Sequence, residues 1–317
     1  MRYSSTDLRN LILLGAAAVA AGLLAPGLPY VGLPLAAFAL CWITYRFGIG
    51  ASLVTTAFAT LLVVLVGPAL GLARVQDALY VGVTLLLVGP GTAVALRRFP
   101  ALAVLGGLTL TLTALFLASP VGSQTLADTV VLLRQFLAGG VLSAAGSSAT
   151  AIKRESAAVI TQFGATWPST VYYMMGLSAL LVVPSAMRAA KAQGIEIHRY
   201  PHLADVDVSF HIVWPTIAGI AALAAGTFAK QPMLGAVGTN VLMFVRPVLV
   251  LQGLADFSAL YRRANAGRFA KGIGYVLLLA TELIVPSVSI LGLVDVFFNL
   301  RRRPRGGTTA VAGTART

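Results

Sequence analysis

Apolar runs follow one another along this chain at 10–26, 30–45, 48–68, 77–96, 101–118, 168–187, 209–229, 236–260 and 272–299, separated by Pro, Gly or basic residues. Crossing the hydrocarbon of a bilayer takes about 20 residues of helix, and in lipid every backbone polar group must be bonded within the protein. Runs of this length and number imply an all-α fold, a polytopic transmembrane bundle of 8–9 hydrophobic helices. Of the 317 residues 58% are hydrophobic and only 10% charged, which leaves no stretch for a large soluble domain.

The formal net charge is +13, but the basic residues sit in short clusters at the ends of apolar runs rather than on one soluble face. They therefore report membrane orientation, and nucleic acid is not an expected partner. With an inner, cytoplasmic N-terminus and eight crossings, Arg46, Arg97, Arg98, the group Arg188, Lys191 and Arg199, and the pair Arg262 and Arg263 all fall inside. A ninth crossing would leave Arg301, Arg302, Arg303 and Arg305 outside. Either one segment fails to cross, 30–45 or 272–299 with Pro286 near its middle, or the tail breaks the rule. Arg2 and Arg9 before LILLGAAAVAAGLLAPG resemble a cleavable signal, but the next apolar run follows at once, so a retained first helix is expected.

Four regions follow. Residues 1–119 hold the N-terminal transmembrane helices and 167–300 the C-terminal ones. Between them, 120–166 interleaves Asp128, Arg134, Lys153, Arg154 and Glu155 with helically spaced apolar residues, as amphipathic helices at the interface do. Residues 301–317 form a basic, Gly/Thr-rich tail, expected to be disordered near anionic lipid.

Walker, GxSxG, HExxH and dinucleotide motifs are all missing, so neither an ATPase subunit nor a common hydrolase is expected, and no catalytic residue or cofactor is assigned. Cys41 lies alone in an apolar run and supports neither a disulfide nor a cysteine metal cluster. His198, His202 and His211 flank Asp205 and Asp207, but no pair has the i,i+4 placement that prearranges a metal site; a solvated loop is the expectation. In the first helix Ala16 and Ala20, and Ala17 and Ala21, are four apart, a spacing that lets another backbone approach. Docking of a partner and packing within the chain are equally served by it.

Charge at mid-bilayer depth is the sharpest signal, since it costs at least about 2.5 kcal/mol per group. Arg246 stands roughly 24 Å from the inner end of its helix and Glu282 roughly 16 Å up the next, an offset that an Arg–Glu pair spans if the helices are antiparallel. Asn240, Gln252 and Asp256 add polar groups to the same helix, and Pro247 removes a backbone donor beside Arg246. Asn240, Arg246, Gln252, Asp256 and Glu282 are thus the candidate polar interior, either the lining of a substrate cavity or a structural ion pair and seam.

The stretches WPSTVYYMMGLSALL, GTNVLMFVRPVLVLQGLADFSALYRR and LLATELIVPSVSILGLVDVFFNLRRR, in this order over about residues 165–303, resemble the YybS-like family of bacterial membrane proteins. Asn240, the Gln252-Gly253 pair and Asp295 followed by aromatics and Arg301 carry the likeness. TYRFGIGASL is similar to the entry into the third helix of substrate-binding S components of energy-coupling-factor transporters. The resemblance implies a multi-pass protein of the bacterial inner membrane, whose partners are lipid, a small-molecule substrate and a coupling subunit with ATPases. The expected function is a substrate-binding or transport component without its own ATPase, not an enzyme. The alternative is a non-transporting scaffold or envelope-biogenesis factor.

Overall fold

The computed structural model describes residues 5–25, 29–69, 78–137, 149–197 and 202–301. Among them every regular element is helical: α1 Ser5–Leu24, α2 Pro29–Phe47, α3 Ile49–Val66, α4 Ala78–Leu86, α5 Thr92–Arg98, α6 Ala101–Ala118, α7 Pro120–Phe136, α8 Ala149–Ala192, α9 Val213–Phe228, α10 Pro232–Arg263, α11 Arg268–Ile284 and α12 Ser287–Phe298. Eight stretches are long and apolar enough to cross a membrane, and α11 with α12 forms a ninth, bent by 99°. The chain divides into two compact units, Met1–Tyr200 with Ile217–Phe244, and Pro201–Thr216 with Val245–Thr317.

The first unit is built around α2, whose Ala36, Ala37, Ala39, Leu40 and Cys41 are wholly buried. Small residues bring its neighbours close: a Cβ on Gly32 would stand 2.7 Å from the Ala21 carbonyl oxygen and the Ala25 nitrogen, so α1 and α2 cross nearly backbone to backbone. Between α4 and α5 the helix widens into a π-turn, Leu87–Gly91, around Pro90, which has no N–H to donate. Thr92 Oγ1 takes the Leu87 carbonyl at 2.8 Å and Cys41 Sγ the Gly89 carbonyl at 3.2 Å. Cys41 is thus a buried packing residue that also satisfies loosened backbone.

Charged contacts collect at one end of this unit. Arg46 at the end of α2 pairs with Asp7 at the start of α1, 3.0 Å apart, and Arg97 at the end of α5 stacks over Tyr45, 5.1 Å from the ring centroid. The connections near Ala25, Tyr80 and Phe116 lie at the opposite ends of the same helices.

α7 begins on the Ser119 cap, whose Oγ accepts from Gly122 N, and exposes Asp128 and Arg134 beside Leu132 and Phe136. It is not one of the eight stretches. α8 departs from the sequence reading: it runs unbroken for 44 residues through the 166/167 boundary, so 149–166 continues a spanning helix instead of closing a separate insertion. At 1.5 Å per residue it is about 66 Å long, twice a hydrocarbon core.

In the second unit α11 rises along α10 and α12 returns. Tyr275 meets Tyr261 edge to face at 5.6 Å near the start, and Arg246 meets Glu282 at the tip. On the way back Gly292 faces Leu249 and Gly253, where a Cβ on either glycine would collide with a carbonyl oxygen, Leu249's for Gly292 and Val288's for Gly253. The break lies at Val285, extended as residues before proline are, and Pro286. Arg263 then donates to the Arg301 carbonyl at 3.4 Å, so the chain leaves this hairpin at the end of α10 where it entered. In a bilayer an element bent in this way is either a broken span or a re-entrant loop. Its last residue, Arg301, comes back beside Arg263 at the end of α10.

Candidate functional site

Two buried polar clusters occupy the second unit. The first is centred on Glu282, which is wholly buried. Its Oε1 accepts from Arg246 Nε at 2.8 Å and, closely, from Ser289 Oγ; its Oε2 accepts from the backbone N–H of Val288 and Ser289 at 2.9 and 3.0 Å. Those amides belong to the first turn of α12, where unpaired N–H groups and the helix dipole favour an anion. Arg246 Nη2 also donates to the Glu282 carbonyl, at 2.7 Å. One cation, one anion and a helix N-terminus thus close on themselves. The break at Pro286, which sets up that N-terminus in mid-unit, and the acid that caps it form a single device.

The second cluster surrounds Arg301. The left-handed Asn299 ends α12 and turns the chain back, so the Arg301 backbone N–H reaches Asp295 Oδ1 at 3.4 Å. Its Nε and Nη2 donate to Asp295 Oδ2 at 3.2 and 3.0 Å, and Nη1 donates to the carbonyls of Ala204 and Val206 at 3.2 and 2.7 Å. Asp256 Oδ1 lies 2.8 Å from Arg301 Nε, yet neither Asp256 oxygen receives a hydrogen bond of good geometry. The contact is an ion pair without a directed N–H. Gln252 Nε2 donates to Asp295 Oδ2 at 2.6 Å, and its Oε1 accepts from Val208 N at 3.0 Å. Asp207 stands 3.6 Å from Arg301 and is about half exposed.

The two clusters differ in charge. Glu282 and Arg246 balance, whereas the buried set Asp256, Asp295 and Arg301 sums to −1 when every group is ionised. The second guanidinium is shared by two side chains that are 4% and 2% exposed.

Of the expected polar interior, Gln252 and Asp256 meet in the Arg301 cluster and Arg246 and Glu282 in the closed pair. Asn240 belongs elsewhere: it lies in the first unit, accepting from Ser169 Oγ at 2.5 Å and donating to the Ala165 carbonyl at 3.1 Å, which fastens α10 to α8. α10 continues through Pro247 as helix. In α1, Ala21 is buried and Ala17 half-buried, while Ala16 and Ala20 lie on the exposed face.

Asp295 and Arg301 are the site residues the sequence reading did not single out for this role. Their signal was the Asp-to-Arg spacing at the end of the last apolar run. The segment read as a solvated loop exposes His202, Asp205, Asp207 and His211, while Ala204 and Val206 between them are buried and their carbonyls hold Arg301. His211 Nδ1 shares a hydrogen bond with Ser209, His202 is exposed, and His198 lies outside the described residues.

An all-α bundle with eight membrane-length helices and charge buried at depth defines an integral membrane protein. The chain belongs to the family described as "Predicted membrane protein (DUF2232)", whose model matches residues 13–296. Comparison with curated proteins and with solved structures finds no match in either set.

Proposed function

We propose that the protein is a substrate-binding or transport component of the bacterial cell membrane, without an ATPase of its own, in which Asp256 takes up a proton. The observation that carries this reading is the net negative charge of the buried side chains around Arg301 among the described residues, where neither oxygen of the buried Asp256 receives a hydrogen bond. Ionisable groups at membrane depth are costly, and those kept there typically serve ion or substrate pathways. A second metal-like cation would be repelled by the guanidinium, whereas a proton adds to a carboxylate oxygen that no donor occupies.

The resemblance to YybS-like proteins and S components supports a small-molecule substrate and a coupling subunit with ATPases as partners. The Asp7–Arg46 and Arg97–Tyr45 contacts at one end of the first unit support an inner, cytoplasmic N-terminus. No reaction chemistry is assigned: the carboxylates face Arg and Gln, and no nucleophile is set beside a base.

Purified from native membranes in mild detergent, the protein is expected to bring an ATPase-containing module or a bound small molecule with it. An empty, partnerless protein isolated repeatedly, with no uptake defect on deletion of its gene, would sink the reading.

The alternative is a non-transporting scaffold or envelope-biogenesis factor. It is favoured by the Arg246–Glu282 pair, in which both carboxylate oxygens of Glu282 are already engaged.

A further inference from the structure

A cavity of about 370 Å³ lies within the first unit, among α2, α4, α6, α7 and α8. Tyr30, Tyr80, Phe116 and Trp167 supply aromatic walls and Met174 a thioether. The rings form one aromatic wall: Phe116 meets Tyr80 edge-on at 5.7 Å and is tilted 49° to Trp167 at 6.4 Å. No charged side chain lines the space, so a charged guest would enter without a partner, at a high desolvation cost.

Three of the five hydroxyls in the wall are poorly used. Thr84 is 3% exposed and its Oγ1 has no hydrogen bond of good geometry, although the Tyr80 hydroxyl one turn earlier lies beside it. Tyr30 Oη spends its proton on Met174 Sδ, 2.6 Å away and a weak acceptor. The other two hydroxyls, of Thr125 and Thr170, are bonded to carbonyls of their own helices. An orphaned buried hydroxyl costs about 1–3 kcal/mol, so its presence in the wall asks for a guest atom that accepts. The volume falls at the small end of the roughly 300–1,000 Å³ of small-molecule sites, enough for one or two fused rings.

We propose that this cavity binds an uncharged, planar aromatic or heteroaromatic molecule whose carbonyl or ring nitrogen accepts from the Thr84 hydroxyl. The cavity lies near the helix ends opposite Asp7, Arg46 and Arg97, which under the proposed orientation is the outer side. The binding site itself does not rest on the proton reading of Asp256.

The test uses the full chain in nanodiscs with Trp42→Phe and Trp214→Phe, leaving Trp167 as the only reporter, and isoquinolin-1-one as the probe. Saturable quenching is expected, weakened about tenfold by Thr84→Val and within threefold of the parent in Thr84→Ser. Because Thr84 Oγ1 has no hydrogen bond of good geometry in the protein, Thr84→Val should change the melting temperature little while it loses the probe. Isoquinoline-1-carboxylate should bind at least tenfold more weakly, and decan-1-ol should not displace the probe at equal concentration. Absent quenching, equal binding by the Val and Ser variants, preference for the carboxylate, or displacement by decan-1-ol, which marks a lipid-filled void, would each overturn the proposal. The same titration on Asp256→Asn separates the two ideas: retained binding there leaves the cavity standing even if no proton is taken up.

Discussion

Arg246, half-buried, and Arg301, buried, are guanidiniums paired with buried carboxylates in one unit, and their surroundings differ in how completely those acids are satisfied. Arg246 faces one carboxylate whose every oxygen is engaged, two of its donors being the amides of a broken helix. Arg301 faces two buried carboxylates, one of them without a directed donor, and spends two further bonds on the carbonyls of a loop. A complete shell fixes a backbone. An incomplete one, on the proposed reading, keeps a group able to change its charge.

The largest effect should come from breaking the complete shell on one side. Glu282→Ala strands Arg246 and uncaps α12, and thermal unfolding in detergent should show a loss of about 3–5 kcal/mol. Gly292→Ala tests the hairpin that supports both clusters. Its new methyl meets the Leu249 carbonyl, and a loss of about 1–3 kcal/mol is expected by the same assay. Replacing both Arg246 and Glu282 by Leu should cost less than Glu282→Ala, about 1–3 kcal/mol: no charge is orphaned, but the Val288 and Ser289 amides lose their acceptor. A stable double variant that has lost uptake would instead assign the pair to the substrate path.

The smallest change in stability, within about 0.5 kcal/mol in either direction, is expected for Asp256→Asn, which removes the uncompensated charge and keeps the shape. Its signature is functional. Proton release or uptake by the purified protein, followed with a pH-sensitive dye across a pH jump, should fall by one proton per chain relative to the parent. An unchanged proton count would erase the distinction between the two guanidiniums.

Much of this was legible before the fold was known. The first eight apolar runs correspond to the eight membrane-length helices, because lipid allows a run of that length little besides helix. Helix rise alone brought Arg246 and Glu282 within reach, since both sit on regular helices joined by a short turn. The Arg301 cluster was hidden for a physical reason: Asp295 and Arg301 meet through one left-handed residue, Asn299, and the loop contributes backbone carbonyls that no side-chain pattern announces. The continuity of α8 was missed for a different one. Interleaved charges between 150 and 156 suggested an interface, yet the helix runs on past Gly164 and through Pro168, breaker residues that it absorbs.

The return of Arg301 to the start of its own hairpin also sets an order of events in synthesis. Asp256 and Asp295 leave the ribosome before Arg301, the cation they share, so both acids must wait in an unfinished segment. A chain stopped at Leu300 would hold both acids without that cation.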